Sequence, residues 1–388
     1  MLKKYAPKEV LLECLKKISK IKIELIETKL VDGKILNLVI FGDKIPKDLV
    51  KYKIVFFKNM LEKTNKLLEI KKDLNNEVNK VALAPCKKIL EKEIFVKLKK
   101  IEFLERIYDI EANKLDSNYI INEELEDYDY YNKIFYGFTK KDLEEEIIIS
   151  ENENKDIFIS KIKLIELLEF SKTLIPELKW NFGSFAGLSH DYGILNIPDE
   201  KRYNIKRIIA IFFHEMTHFF RYLNGKNNLG FDYIFEDYDT LEEGITGYNE
   251  YLYGNKIINY GKYNAYYDKC YLALLEDISE LEKKEEIFNI LKNKGFDRRK
   301  IDLLYTRFFR YSKIGGNKLF LKELIYNNAY NNVIKLLEKD KNNYKKIMAG
   351  NIGLFGLENN LLKSDKNIDS KKYFNIMVEE IKKIINKK

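Results

Sequence analysis

The chain has 388 residues, enough for one large domain or two ordinary ones, and 45% of them are hydrophobic, which excludes global disorder. Its net charge of +8 is a small difference between 69 basic and 61 acidic residues, interleaved in runs such as KKIEFLERIYDIEANK. That interleaving marks solvated helix faces and excludes the basic stripe or tail of a nucleic-acid binder.

Residues 1–90 read as a small mixed α/β region. KIKIELIETKL and ILNLVIFG alternate like strands around a DGK turn, and VFFKNMLEKTNKLLEIKKDL follows with helical spacing. Residues 86–115 give one long amphipathic helix. The acidic, Tyr- and Asn-rich segment 115–132 reads as a surface connection, and helix signals return in FTKKDLEEEI and KIKLIELLEFSKTL. Between 177 and 200, KWNF and YGILNIP are strand-like runs separated by a Gly/Ser-rich turn. The second run is a candidate for pairing with the backbone of an extended peptide. YNIKRIIAIFFHEMTHFFRYLNG is apolar nearly all round, the mark of a buried helix, with Asn224-Gly225 as its stop signal. The rest reads as mostly helix.

Cys14, Cys86 and Cys270 form no CxxC pair, so neither a disulfide framework nor a thiolate metal site is indicated. No segment reaches the roughly 18 apolar residues of a spanning helix, and the N-terminus has no apolar signal core. A soluble, cytoplasmic protein with no membrane or nucleic-acid partner is expected.

Two of the three histidines fall in FHEMTH. On a helix, residues four apart differ by about 40° of rotation, so His214 and His218 point to one side and can share a Zn²⁺. Glu215 is then placed to take a proton from attacking water, the HExxH arrangement of a metallopeptidase. Chance placement would give about two such matches per thousand chains of this composition. A third ligand is expected from DTLEEGITGYNEYL. Glu243 leads, with Glu242 the other contender, and Thr240-x-x-Glu243 also reads as a capping box in which Glu243 closes its own helix. Arg221 is read as pairing with an acid in preference to binding substrate. Tyr248 and His190 are weaker candidates.

HEMTHFFRYLNG followed by YDTLEEGITGYNEYL resembles the microtubule-associated tyrosine carboxypeptidase family and its bacterial relatives. IFYGFTKKDLEEEI, YGILNIPDEKRYNIKRIIAIFFHE, TRFFRYSKIGGNKLFLKELIYNNAY and MAGNIGL are similar to further family blocks, in order, over residues 95–355. The family usually spaces its histidines as HExxxH, one residue longer than here. The resemblance implies an α+β, zincin-like metallopeptidase with a small sheet, a buried HExxH helix and a mostly helical C-terminal part. It implies one Zn²⁺ per chain on His214, His218 and Glu243, with Glu215 as catalytic base and Tyr326 assisting. Arg307, Arg310 and Lys322 would face the cleft and hold a terminal carboxylate. The implied substrate is a peptide or protein C-terminus, with tyrosine or another aromatic residue removed. The resemblance implies a peptidase domain at 95–355; residues 1–85 find no counterpart in it, so 1–90 is read as an N-terminal region of unknown role, with a protein partner there as one expectation, and 356–388 as a helical tail. An endopeptidase or aminopeptidase on the same zinc site, and an inactive metal-stabilised binding protein, are the alternatives.

Overall fold

The computed structural model describes residues 7–21, 27–31, 34–40, 43–44, 49–75, 87–115, 128–137, 157–183, 187–189, 193–260, 325–362 and 367–386, with positions 289 and 292. These residues are mostly helical with small sheets, an α+β architecture. The chain forms two compact units: Met1–Ile147 with Tyr266–Ile325, and Ile148–Ala265 with Tyr326–Lys388. Both units are discontinuous in sequence. No helix among the described residues is long and apolar enough to cross a membrane.

In the first unit, α1 (Pro7–Ser19), α2 (Leu49–Leu74) and α3 (Lys87–Leu115) pack together. α2 starts six residues before the sequence pattern suggested, and α3 coincides with the expected helix. β1 (Glu27–Val31) and β2 (Lys34–Ile40) pair antiparallel, and β3 (Asp43–Lys44) extends the sheet; the DGK turn expected between the first two falls partly outside the described residues. The helix α4 (Tyr128–Tyr136) closes on α3 through the rings of Phe103, Tyr131 and Phe135, with Phe103 and Tyr131 centroids 4.8 Å apart.

The second unit begins with β4 (Phe158–Ser160), which pairs antiparallel with β8 (Arg202–Asn204). Each strand ends on a helix cap. Ser160 Oγ accepts from Lys163 N–H at the start of α5 (Lys161–Leu174), and Asn204 Oδ1 accepts from Lys206 N–H at the start of the histidine helix. The second sheet holds β5 (Lys179–Gly183), β6 (Gly187–Ser189) and β7 (Ile194–Pro198) in the order β5-β7-β6. β7 is the central strand, parallel to β5 and antiparallel to β6. This corrects the expectation that YGILNIP receives a peptide backbone: both its edges are already paired within the chain.

The histidine helix runs as α6 (Ile205–Ile209), a π-helical turn (Ala210–Glu215) and α7 (Met216–Leu229). It does not stop at Asn224-Gly225. Asn224 is committed to tertiary contacts: its Nδ2 donates to Met348 O and its Oδ1 accepts from Ile368 N–H. Gly225 lets the Gly350 backbone approach, since a β-carbon there would lie 3.4 Å from Gly350 Cα. The stop falls at Gly230, whose φ of 80° is the left-handed cap that glycine adopts without penalty. Phe212, Phe213, Phe219 and Phe220 are all fully buried. The C-terminal helix (Ser370–Asn386) lies against them, with Phe374 5.8 Å from Phe213 and 5.5 Å from Phe220 between ring centroids. Residues 370–386 therefore belong to the core of this unit and are not a separate tail.

Candidate metal centre

The π-turn comes directly before the second histidine's helix. Met216 N–H reaches back five residues to Ile211 O, and the Phe213 carbonyl is taken by Thr217 Oγ1 at 2.5 Å. π-Turns of this kind are commonest at functional sites. His214 and His218 share a face across this turn, with ring centroids 5.1 Å apart.

Glu243 is supplied by α8 (Glu242–Gly254). The capping box is not formed. Leu241 occupies the cap position without a side-chain bond, and Thr240 Oγ1 instead donates to Asp237 O and accepts from Leu354 N–H. Glu243 is thus released from capping and turns to the histidines, with Oε2 at 3.3 Å from His214 Nε2 and 3.7 Å from His218 Nε2. One ligand atom from each of His214, His218 and Glu243 lies within 4.8 Å of the others.

The adjacent carboxylates hold the rings from behind. His214 Nδ1 donates to Glu250 Oε2 at 3.0 Å, and His218 Nδ1 donates to Glu242 Oε1 at 2.6 Å. A carboxylate only accepts, so each Nδ1 carries a proton and each Nε2 is left facing Glu243, where it offers a lone pair once the ring is neutral. Glu250 Oε1 also accepts from the Tyr260 hydroxyl. Glu242 Oε2 accepts from Arg221 Nη1, while Arg221 donates its other groups to the carbonyls of Ile347, Gly350 and Ile352. Arg221 is 0% exposed and is a structural pairing residue, as the sequence suggested.

Two observations fit this cluster to a cation. Glu243 Oε2 is buried with no hydrogen-bond partner, a costly state for a carboxylate oxygen unless a cation meets it. Among the described residues, the three carboxylates that face the rings are paired with one guanidinium, an excess of negative charge that a divalent ion would offset. Without metal, protons do that work. Burial pushes both histidine pKa values down, but Glu243, Glu250 and Glu242 outweigh it, raising His214 well above 6.5 and His218 above 6.5. Burial pushes Glu243 up, and the charges of His218 and His214 more than offset this and hold it below 4.5. Two imidazoles and a carboxylate match the donor set of zinc, with Nδ1 bonds of the kind that orient metal-ligating histidines.

Glu215 is half-buried beside His214 and makes no hydrogen bond or ion pair with a described residue. Tyr326 lies in α9 (Ile325–Lys339), half-buried, one turn before Ala329. That turn presses on the start of α8: a β-carbon on Gly244 would sit 2.1 Å from Ala329 O, and Asn332 Nδ2 donates to Thr240 O at 3.0 Å. Tyr326 is therefore held on the helix that abuts the Glu243 turn. The Tyr248 ring lies 6.5 Å from that of Tyr344. Arg307, Arg310, Lys322 and His190 lie outside the described residues.

Three residues escaped the sequence reading. Glu250 carried a usable signal, since it stands seven residues after Glu243 and so two turns along the same helix face. Tyr260 carried none. Nor did Tyr238, whose hydroxyl is pushed well above 10 by Asp239, burial and the charges of Glu242 and Glu243. Compared with protein-family models, curated proteins and solved structures, the chain matches none.

Proposed function

We propose that this protein is a zinc-dependent peptidase, most simply a carboxypeptidase. The observation that carries the reading is the convergence of two Nε2 lone pairs on the unpartnered Glu243 Oε2, with Glu215 uncommitted on the same helix. His214, His218 and Glu243 would hold the ion, which supplies Lewis acidity toward a carbonyl and lowers the pKa of water. Glu215 then takes the proton of the attacking water and passes it to the nitrogen of the departing amine. Glu242 and Glu250 keep both imidazoles in the tautomer that coordinates. The carboxypeptidase assignment rests on the resemblance in the sequence, which also nominates Arg307, Arg310 and Lys322 for the terminal carboxylate and Tyr326 for the developing oxyanion.

The test is mass spectrometry of a peptide set with varied C-termini, free and amidated, incubated with zinc-loaded native protein and with Glu215→Gln. Loss of one terminal residue from free-ended peptides is expected from the native protein. In Glu215→Gln the rate should fall about 10²–10⁴-fold with zinc content unchanged, the usual value of a general base. Undiminished hydrolysis by Glu215→Gln sinks the mechanism. Equal cleavage of amidated peptides would move the assignment to an endopeptidase.

A further inference from the structure

Zinc coordination needs two lone pairs aimed at one point, and the two histidines receive that aim in different ways. His218 is set by Glu242, which is 2% exposed and fixed by Arg221 to three backbone carbonyls. His214 has no such clamp. Its Nδ1 is held by Glu250, 18% exposed in its side chain, and the other oxygen of Glu250 is met by the Tyr260 hydroxyl. Tyr260 itself is placed by its backbone N–H, which donates to Asn255 Oδ1 beyond the end of α8. A glutamate on an intermediate-exposure face has several rotamers of similar energy, so its orientation depends on what binds its second oxygen.

We infer that Tyr260 is a positioning residue: acting through Glu250, it fixes the His214 ring and thereby sets the affinity of the metal centre. Burial and the Glu250 charge raise the Tyr260 pKa well above 10, so the hydroxyl stays protonated and remains a donor across neutral pH. The carboxylate of Glu250 accepts from both sides and donates to neither. Both hydrogen bonds therefore converge on Glu250, and removing Glu250, or the Tyr260 hydroxyl that holds its second oxygen, leaves His214 free to turn its Nε2 away. This rests on reading His214, His218 and Glu243 as metal ligands, so its test reads metal affinity and not peptide cleavage.

The experiment is a double-mutant cycle of the full-length protein with Glu250→Ala and Tyr260→Phe, measuring Zn²⁺ affinity at pH 7.5 by competition with a chromophoric chelator. Circular dichroism and thermal unfolding of the zinc-free proteins check the fold. Glu250→Ala should weaken zinc about 10–100-fold, as loss of a ligand-orienting carboxylate generally does. Tyr260→Phe should weaken it about 2–10-fold, the equivalent of one net hydrogen bond. In the Glu250→Ala background, Tyr260→Phe should have no further effect, because its path to the metal is gone. Glu250→Gln, which keeps an acceptor for Nδ1–H, should recover part of the loss. Affinity within twofold of native in Glu250→Ala overturns the proposal while leaving the metal centre intact. An equal effect of Tyr260→Phe in both backgrounds overturns the role of Tyr260. Native protein that takes up no zinc overturns the metal reading and this one together.

Discussion

Glu242 and Glu243 are consecutive, yet their carboxylates meet different partners. Glu243 turns an unpartnered oxygen toward the two Nε2 atoms, whereas Glu242 accepts from His218 Nδ1 and from Arg221. Burial lowers the Arg221 pKa, and the charge and hydrogen bond of Glu242 pull it back up. The guanidinium at 0% exposure depends on Glu242 for its only close counter-charge among the described residues, with Asp237 more distant. Removing one member of such a buried pair leaves a charge stranded, a loss of about 3–5 kcal/mol. Glu242→Ala should therefore destabilise the zinc-free unit by about that amount in urea denaturation. A loss below about 1 kcal/mol would place the pair among weak, solvent-screened interactions and contradict its structural role.

Between helices, the site depends on how closely α9 can approach α8. Gly244 follows Glu243 directly, and Ala329 O occupies the place where its β-carbon would stand, 2.1 Å away. The neighbouring atom is backbone, so it cannot swing aside as a side chain would. Gly244→Ala should push α9 off α8, with a destabilisation of about 1–3 kcal/mol or more from overpacking. Because Glu243 is the residue directly before it, zinc affinity should fall as well. Unfolding and zinc titration of the variant check both, and native values for both would show that the helices do not cross at this point. A second buried link ties α8 to other elements: Asn249 donates to Thr217 on the histidine helix and accepts from Tyr344.

How much of this was legible in the sequence follows from chain separation. His214, Glu215 and His218 are neighbours on one helix, and Glu243 stands 25 residues on at the head of the next. Local spacing was enough to find them, and the strand-like alternation of 27–31 and 34–40 was legible for the same reason. The choice between Glu242 and Glu243 was not, because it turns on Arg221 meeting carbonyls more than a hundred residues away. Likewise the Asn224-Gly225 stop signal was overridden by contacts with Met348 and Ile368 that no local pattern announces. The π-turn left no trace because a helix apolar on every side has no phase to disturb. The two interleaved units were hidden by uniform composition, which does not change where the chain passes from one to the other near 147, 265 and 325.

The zinc content of the purified protein after equilibration with buffered micromolar Zn²⁺, measured by elemental mass spectrometry on the native chain and on Glu243→Ala, tests the metal centre directly. One zinc per native chain and much less than one in Glu243→Ala is the predicted result. A native chain without zinc, or a variant that retains a full equivalent, would contradict it.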